Sequence, residues 1–157
     1  MKTPIWVEAA INGPWGKERQ PGIPIAIEEI VADGIAVVEA GAAIVHLHVY
    51  DVETGRQRDD WELYARAIEG IRAKVDAIVY PTIPILGSGY AGDMHGSGRY
   101  THLEELAKRG LVEWGVLDPG SCNWMTYAGM PEGEAGFIYQ NPGEHIREGM
   151  AVAERHK

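Results

Sequence analysis

The sequence predicts an α/β protein of the (β/α)8 TIM-barrel class, with about the first four strand–helix units present in the chain. Three observations lead there. Strand-like and helix-like segments alternate along the 157 residues. The helix-to-strand connections are very short, whereas the strand-to-helix connections, roughly residues 12–24, 50–59, 82–98 and 118–141, are long and rich in glycine and proline. Neither a Gly-x-Gly-x-x-Gly after the first strand nor a Gly-Lys-Ser/Thr phosphate loop occurs, which disfavours an open nucleotide-binding sheet. Loops of such length are uncommon unless functional, and barrel enzymes keep their active sites on that face.

Each element follows from local pattern. Residues 5–11 are apolar apart from Glu8 and read as the first strand. From residue 27 to 40, Ile27, Ile30, Val31, Ile35 and Val38 fall at helical spacing. Ala26 stands at that helix's N-cap position, and Gly41 stops it. Residues 42–49 form the second strand, and Asp59 or Asp60 caps a helix burying Trp61, Tyr64, Ala65, Ile68, Ile71 and Val75. The third strand covers residues 77–81. Thr101 and Glu104 fit a capping box for a helix through Leu103, Leu106 and Ala107, ended by Gly110. Residues 111–117 read as the fourth strand and 137–139 as a short extended piece. Asn141 and Pro142 then start a final helix with Ile146, Met150 and Ala153 inward. A closed barrel needs about 250 residues. Residues 1–157 therefore read as the N-terminal half of one barrel domain. Its open strand edges invite association, so a homo-oligomer is expected.

Composition excludes several function classes. The net charge is −9, with 23 acidic against 14 basic residues, which opposes the phosphate neutralisation that nucleic-acid binding requires. No run approaches the ~18 apolar residues of a membrane span. The N-terminus lacks a signal-peptide layout, and the single cysteine, Cys122, offers no internal disulfide. A cytoplasmic location is the expectation.

Chemistry concentrates at His46-Leu47-His48, which closes the apolar run Ala42-Ala43-Ile44-Val45. Residues two apart on a strand share a face, so both imidazoles can converge on one ion. Neutral imidazole is the commonest metal ligand, and a catalytic zinc usually has three protein ligands and one open position. Two unrelated polar residues at a strand end are the alternative; the long loops beside them favour the metal. Glu8 suits a structural or supporting role, because a buried carboxylate needs partners. Asp51 either orients one imidazole or serves the turn before Thr54-Gly55. His95 belongs to a loop, and His102, His145 and His156 are expected on the outer surface. Cys122 has no histidine base nearby in sequence, which disfavours a nucleophile. Arg56, Arg58 and Arg99 lie on catalytic-face loops, as solvated charge or as contacts for CoA phosphates.

Several segments together resemble the β-keto acid cleavage enzymes. They are Ala10-Ile11-Asn12-Gly13, the run from Ile23 to Glu29, the block from Glu39 through His48, and Asp118-Pro119-Gly120-Ser121-Cys122-Asn123-Trp124. The resemblance implies a zinc-dependent (or other divalent-metal) acyl transfer on a β/α barrel, with acetyl-CoA as co-substrate. The enolate of a β-keto acid attacks the thioester, and cleavage of the adduct releases acetoacetate and a new acyl-CoA. It also implies a tetrameric assembly. By the same resemblance His46 and His48 are metal ligands, Thr82 and Ser121 are catalytic and substrate-binding hydroxyl residues, and Asn12 is a small polar residue contacting substrate. A third ligand, a glutamate, and the aspartate and arginine beside it belong to later strands of the family's barrel. Pro14-Trp15 stands where an acidic residue of the family contacts a substrate amine, and an aromatic ring cannot replace that ion pair. Two rival readings remain: a metal-dependent hydrolase of the amidohydrolase type, and a non-catalytic half-barrel that only binds metal or itself.

Overall fold

The structure is a computed structural model that describes residues 5–87, 90–91, 98–125, 131 and 136–157. Its centre is a parallel three-stranded sheet in the order β1–β2–β5, formed by Glu8–Ala10, Ile44–Leu47 and Ile78–Pro81. Helix α1 (Ile27–Glu39) joins β1 to β2, and α2 (Trp61–Arg72) leads into β5. The register sets Ala10, His46 and Tyr80 abreast. Because side chains alternate, the other face carries Val45, Leu47 and Val79, all sealed from solvent. These pack with Ile30 of α1, Tyr64, Ile68 and Ile71 of α2, and Leu106 of α3 (Thr101–Lys108) as one core. Full burial of each such aliphatic side chain contributes about 1.5–3 kcal/mol, the dominant favourable term here.

The helices begin and end for identifiable reasons. Ala26 has extended backbone but no side-chain oxygen, so α1 is held by Glu29 instead. The Glu29 carboxylate accepts from the Ile25 and Ala26 amides at 2.9 and 3.1 Å and pairs with Lys17 at 2.9 Å. Chiefly through the Lys17 contact, its pKa falls to about 2. Asp60, not Asp59, caps α2 by accepting from the Glu62 and Leu63 amides. Gly41 and Gly110 have φ of 113° and 67°, the left-handed conformation that glycine adopts without strain. Each turns the chain directly back: the Ala42 amide donates to Val37 O and the Leu111 amide to Leu106 O.

Five sequence expectations are corrected. Residues 111–117 pair with no strand among the described residues. Trp114 stacks on Trp6 at 6.3 Å and Trp15 on Trp124 at 5.8 Å, so the chain after α3 closes toward both flanks of β1 instead of extending the sheet beyond β5. The strand-to-helix loops, in which only the extended piece 137–139 was expected and is found, hold more regular structure than that. Three antiparallel hairpins occupy them: β3 (Val49–Tyr50) with β4 (Gln57–Arg58), β6 (Leu86–Gly87) with β7 (Tyr90–Ala91), and β8 (Cys122–Trp124) with β9 (Phe137–Tyr139). Each satisfies its own backbone polar groups locally. The Thr101–Glu104 capping box does not form: Tyr100 occupies the N-cap position, the Thr101 hydroxyl donates to Gly98 O, and Glu104 pairs with Arg155. In α4 (Gly143–Arg155), Gly149 and Val152 face inward, while Met150 and Ala153 are exposed. Gly149 decides that rotation, because a Cβ there would lie 2.6 Å from the Tyr100 ring, so only glycine lets the helices approach so closely.

The fifth correction concerns two polar residues expected at the surface. His102 is 2% exposed, stacks against Tyr64, and donates Nε2–H to Thr82 O at 2.7 Å. Arg99 is also 2% exposed and donates to Pro84 O, Gln140 O, Asn141 Oδ1 and the Tyr139 hydroxyl. It is a buried staple, not a loop charge free for phosphate.

Candidate active site

Extending the sheet register past the strand ends, by two residues on β1 and one on β2 and β5, sets Asn12, His48 and Thr82 side by side. Asn12 fixes the first junction. Its Oδ1 accepts from the His48 amide at 2.7 Å, and its Nδ2 donates to His48 O and Pro24 O. Thr82 fixes the second: its amide donates to Leu47 O, and its own carbonyl is held by His102. The Thr82 hydroxyl makes a long, 3.4 Å contact with Ile83 O.

The two imidazoles lie close together as the sequence spacing requires. Their ring centroids are 5.2 Å apart and the planes nearly perpendicular, with Tyr80 4.8 Å from His46 on the same face. Burial lowers the pKa of His46, opposed by the negative charges of Glu8 and Asp118. Burial also lowers that of His48, to about 3, although its Gln57 contact opposes the change. Both rings are therefore neutral at ordinary pH, the form a metal requires. The Nδ1 atom of His46 is buried with no hydrogen-bond partner among the described residues. Such an orphan is expected where a ligand completes the site. The residues present thus fit two positions of a metal site, and a third is not supplied: no group of three His, Cys, Asp or Glu gathers among the described residues.

Sequence reasoning gave Gln57 no role and Asp59 only that of a possible helix cap. The Gln57 Oε1 lies 2.8 Å from His48 Nδ1, and its Nε2 donates to Asp59 Oδ1 at 3.1 Å. The available signal was the Asp59-Asp60 pair, since one helix N-terminus uses one cap and leaves the other carboxylate for a different task. Asp51 takes the turn role: its Oδ1 accepts from the Glu53 and Thr54 amides and the Thr54 hydroxyl, while Oδ2 pairs with Arg58. Glu8 accepts from the Tyr80 hydroxyl. The Tyr80 pKa rises well above the tyrosine norm, by burial first and this bond second.

Ser121 belongs to a second network. Exposed itself, it accepts from the Asn141 amide at 2.9 Å. Asn141 in turn holds Gly120 O and receives Arg99, while the Tyr139 hydroxyl donates to Asp118. Burial, then the Asp118 bond, raises the Tyr139 pKa well above its ordinary value. Cys122 is exposed and accepts from Trp124 Nε1, and His95 lies outside the described residues. Among the described residues no helix is long and apolar enough to cross a membrane.

The sequence model of the beta-keto acid cleavage enzymes matches residues 4–157, nearly the whole chain. The chain belongs to the β-keto acid cleavage enzyme family. The 3-keto-5-aminohexanoate cleavage enzyme of Fusobacterium nucleatum is 36% identical over 127 residues, 79% of this chain and 42% of that protein. The 3-oxoadipate:acetyl-CoA acetyltransferase of Cupriavidus necator is 40% identical over 81 residues, 50% of this chain and 28% of the relative. The 3-dehydrocarnitine:acetyl-CoA trimethylamine transferase of Rhizobium meliloti is 29% identical over 96 residues, 60% and 30% of the two chains. The chain spans less than half the length of the curated relatives it matches. Their names give the family's general reaction, transfer between a keto acid and acetyl-CoA.

Proposed function

We propose that this chain contributes the His46–His48 metal-binding part of an active site that converts a β-keto acid and acetyl-CoA into acetoacetate and a new acyl-CoA. The observation that carries this reading is the pair of imidazoles at the end of β2, 5.2 Å apart, with His46 Nδ1 buried and without a hydrogen-bond partner among the described residues. It gains force in a family whose members are named for acetyl-CoA-dependent reactions. A divalent ion, zinc in this reading, would polarise the keto oxygen and stabilise the developing enolate. The chain's own residues set the stage. Asn12 locks the His48 backbone, and His102 pins the strand end that carries Thr82. Thr82 and Ser121 offer hydroxyl groups to substrate oxygens. The fold reading that accompanies this is a β/α barrel to which β1, β2 and β5 contribute three neighbouring parallel strands. Assembly as a homo-oligomer in the cytoplasm is part of the same proposal.

The substrate class is a β-keto acid without a paired amine, because Trp15 is stacked on Trp124 with Arg19 5.1 Å over its ring. A cation already lies against this aromatic pair, which disfavours a second. The test uses the protein purified from its native gene, with a panel of β-keto acids. Acetoacetate should form only when acetyl-CoA and a divalent metal are both present. Keto-acid breakdown that ignores CoA would overturn the reading, and metal-dependent hydrolysis without CoA would favour the amidohydrolase alternative.

A further inference from the structure

We propose that Gln57 and Asp59 form a relay that fixes the tautomer of His48, placing the proton on Nδ1 and leaving the Nε2 lone pair for a metal. This makes Gln57 a positioning residue and rests on the metal reading given above. The logic runs inward from the carboxylate. The amide group of Gln57 turns its NH2 toward Asp59 and donates to its Oδ1, 3.1 Å away. That orientation leaves Oε1, an acceptor, facing His48 Nδ1 at 2.8 Å. A neutral imidazole meeting an acceptor at Nδ1 must carry its proton there. The Nε2 atom then holds a lone pair, and no hydrogen bond engages it among the described residues.

Burial gives the relay its selectivity. His48 is 6% exposed, Gln57 8% and Asp59 3%, so water cannot replace a lost partner without cost. Gln57 stands on β4 and Asp59 follows it two residues later. The β3–β4 hairpin is therefore the device that brings the relay beside a strand-end histidine. Ligating histidines commonly donate their second N–H to a carboxylate or carbonyl. Here an amide carries the polarity of a carboxylate across one extra side chain.

The experiment reads the tautomer directly, by two-bond proton–nitrogen correlation on metal-free protein labelled at histidine. His48 should be protonated on Nδ1. Asp59→Asn frees the Gln57 amide to flip, so a population protonated on Nε2 should emerge; Gln57→Met should do the same. Zinc affinity, measured by competition with a chromogenic chelator, should weaken about 10–100-fold in both variants. A wild-type His48 protonated on Nε2 overturns the proposal even if neither variant folds. So does a tautomer unchanged in both variants, or an altered tautomer with unaltered zinc affinity. Wild-type protein with the Nδ1 proton in place but no zinc binding at all supports the relay and overturns the metal reading instead.

Discussion

At the scale of single residues, the His46–His48 spacing was legible because a strand has a period of two and nothing in the fold disturbs it. Replacing either histidine by Ala should remove bound divalent metal while leaving the circular dichroism spectrum close to wild type. Metal content equal to wild type in both variants would exclude them as ligands. His102 shows the opposite case. A histidine on a polar-looking helix reads as surface, and only the tertiary contact with Thr82 O and Tyr64 reveals its burial. That burial has a pH signature. Its folded-state pKa is lowered from 6.5 to about 4 by desolvation, against the Thr82 bond. Above pH 6.5 the ring is neutral folded or unfolded, so it adds no pH dependence. Between 6.5 and 4 the unfolded chain takes up a proton that the folded one refuses, so stability falls as pH falls. The limit is on the order of 3 kcal/mol from this one group. Urea titrations of wild type and His102→Gln should show the variant losing less stability between pH 7 and 4. Parallel curves would refute the assignment.

Elements were legible in proportion to how local their causes are. Helix α1 lies within a residue of expectation and α2 starts where expected, since periodicity, Asp60 and Gly41 are all local signals, although α2 ends at Arg72, three residues before Val75. The fourth strand failed because a strand exists only by pairing, and residues 111–117 are claimed by Trp6, by the Arg72 contacts to Leu111 O and Glu113, and by the cluster of Tyr100, Leu103 and Val152 on which Val116 packs. Of the hairpin strands in the loops only β9 was foreseen, as the extended piece 137–139; the others were missed for the same reason. Two element-level outcomes follow from the geometry. Ala26→Thr adds the missing side-chain acceptor to α1 and should stabilise the protein by about 1 kcal/mol, seen as a higher thermal midpoint. Gly149→Ala should act in the other direction, because its Cβ would press on the Tyr100 ring and on Leu117. Overpacking of this kind costs about 1–3 kcal/mol, more than the roughly 1 kcal/mol that alanine gains in helix propensity over glycine. A midpoint at or above wild type would show that α4 can shift outward freely.

At the scale of the molecule, the sheet is covered on one face by helices and more open along the other, where Ala10, His46 and Tyr80 lie abreast and Glu8 stands two residues before Ala10. That face bears His46, half-buried, while His48 is buried just past the end of β2. Two imidazoles hold zinc less firmly than the three protein ligands of a usual catalytic site, and Glu8 is already engaged by Tyr80. Residues 1–157 purified alone should therefore bind zinc weakly and fail to make acetoacetate from β-keto acids and acetyl-CoA. The exposed side chains of Ile5, Trp6 and Val7 beside β1, at 86%, 62% and 52%, should also drive self-association at high concentration. Sedimentation velocity over a concentration series, zinc competition and a coupled acetoacetate assay on one preparation separate these points. A tight zinc complex with turnover in a monomer would mean that a third ligand lies within this chain, beyond the residues described, and that the open face is already a working site.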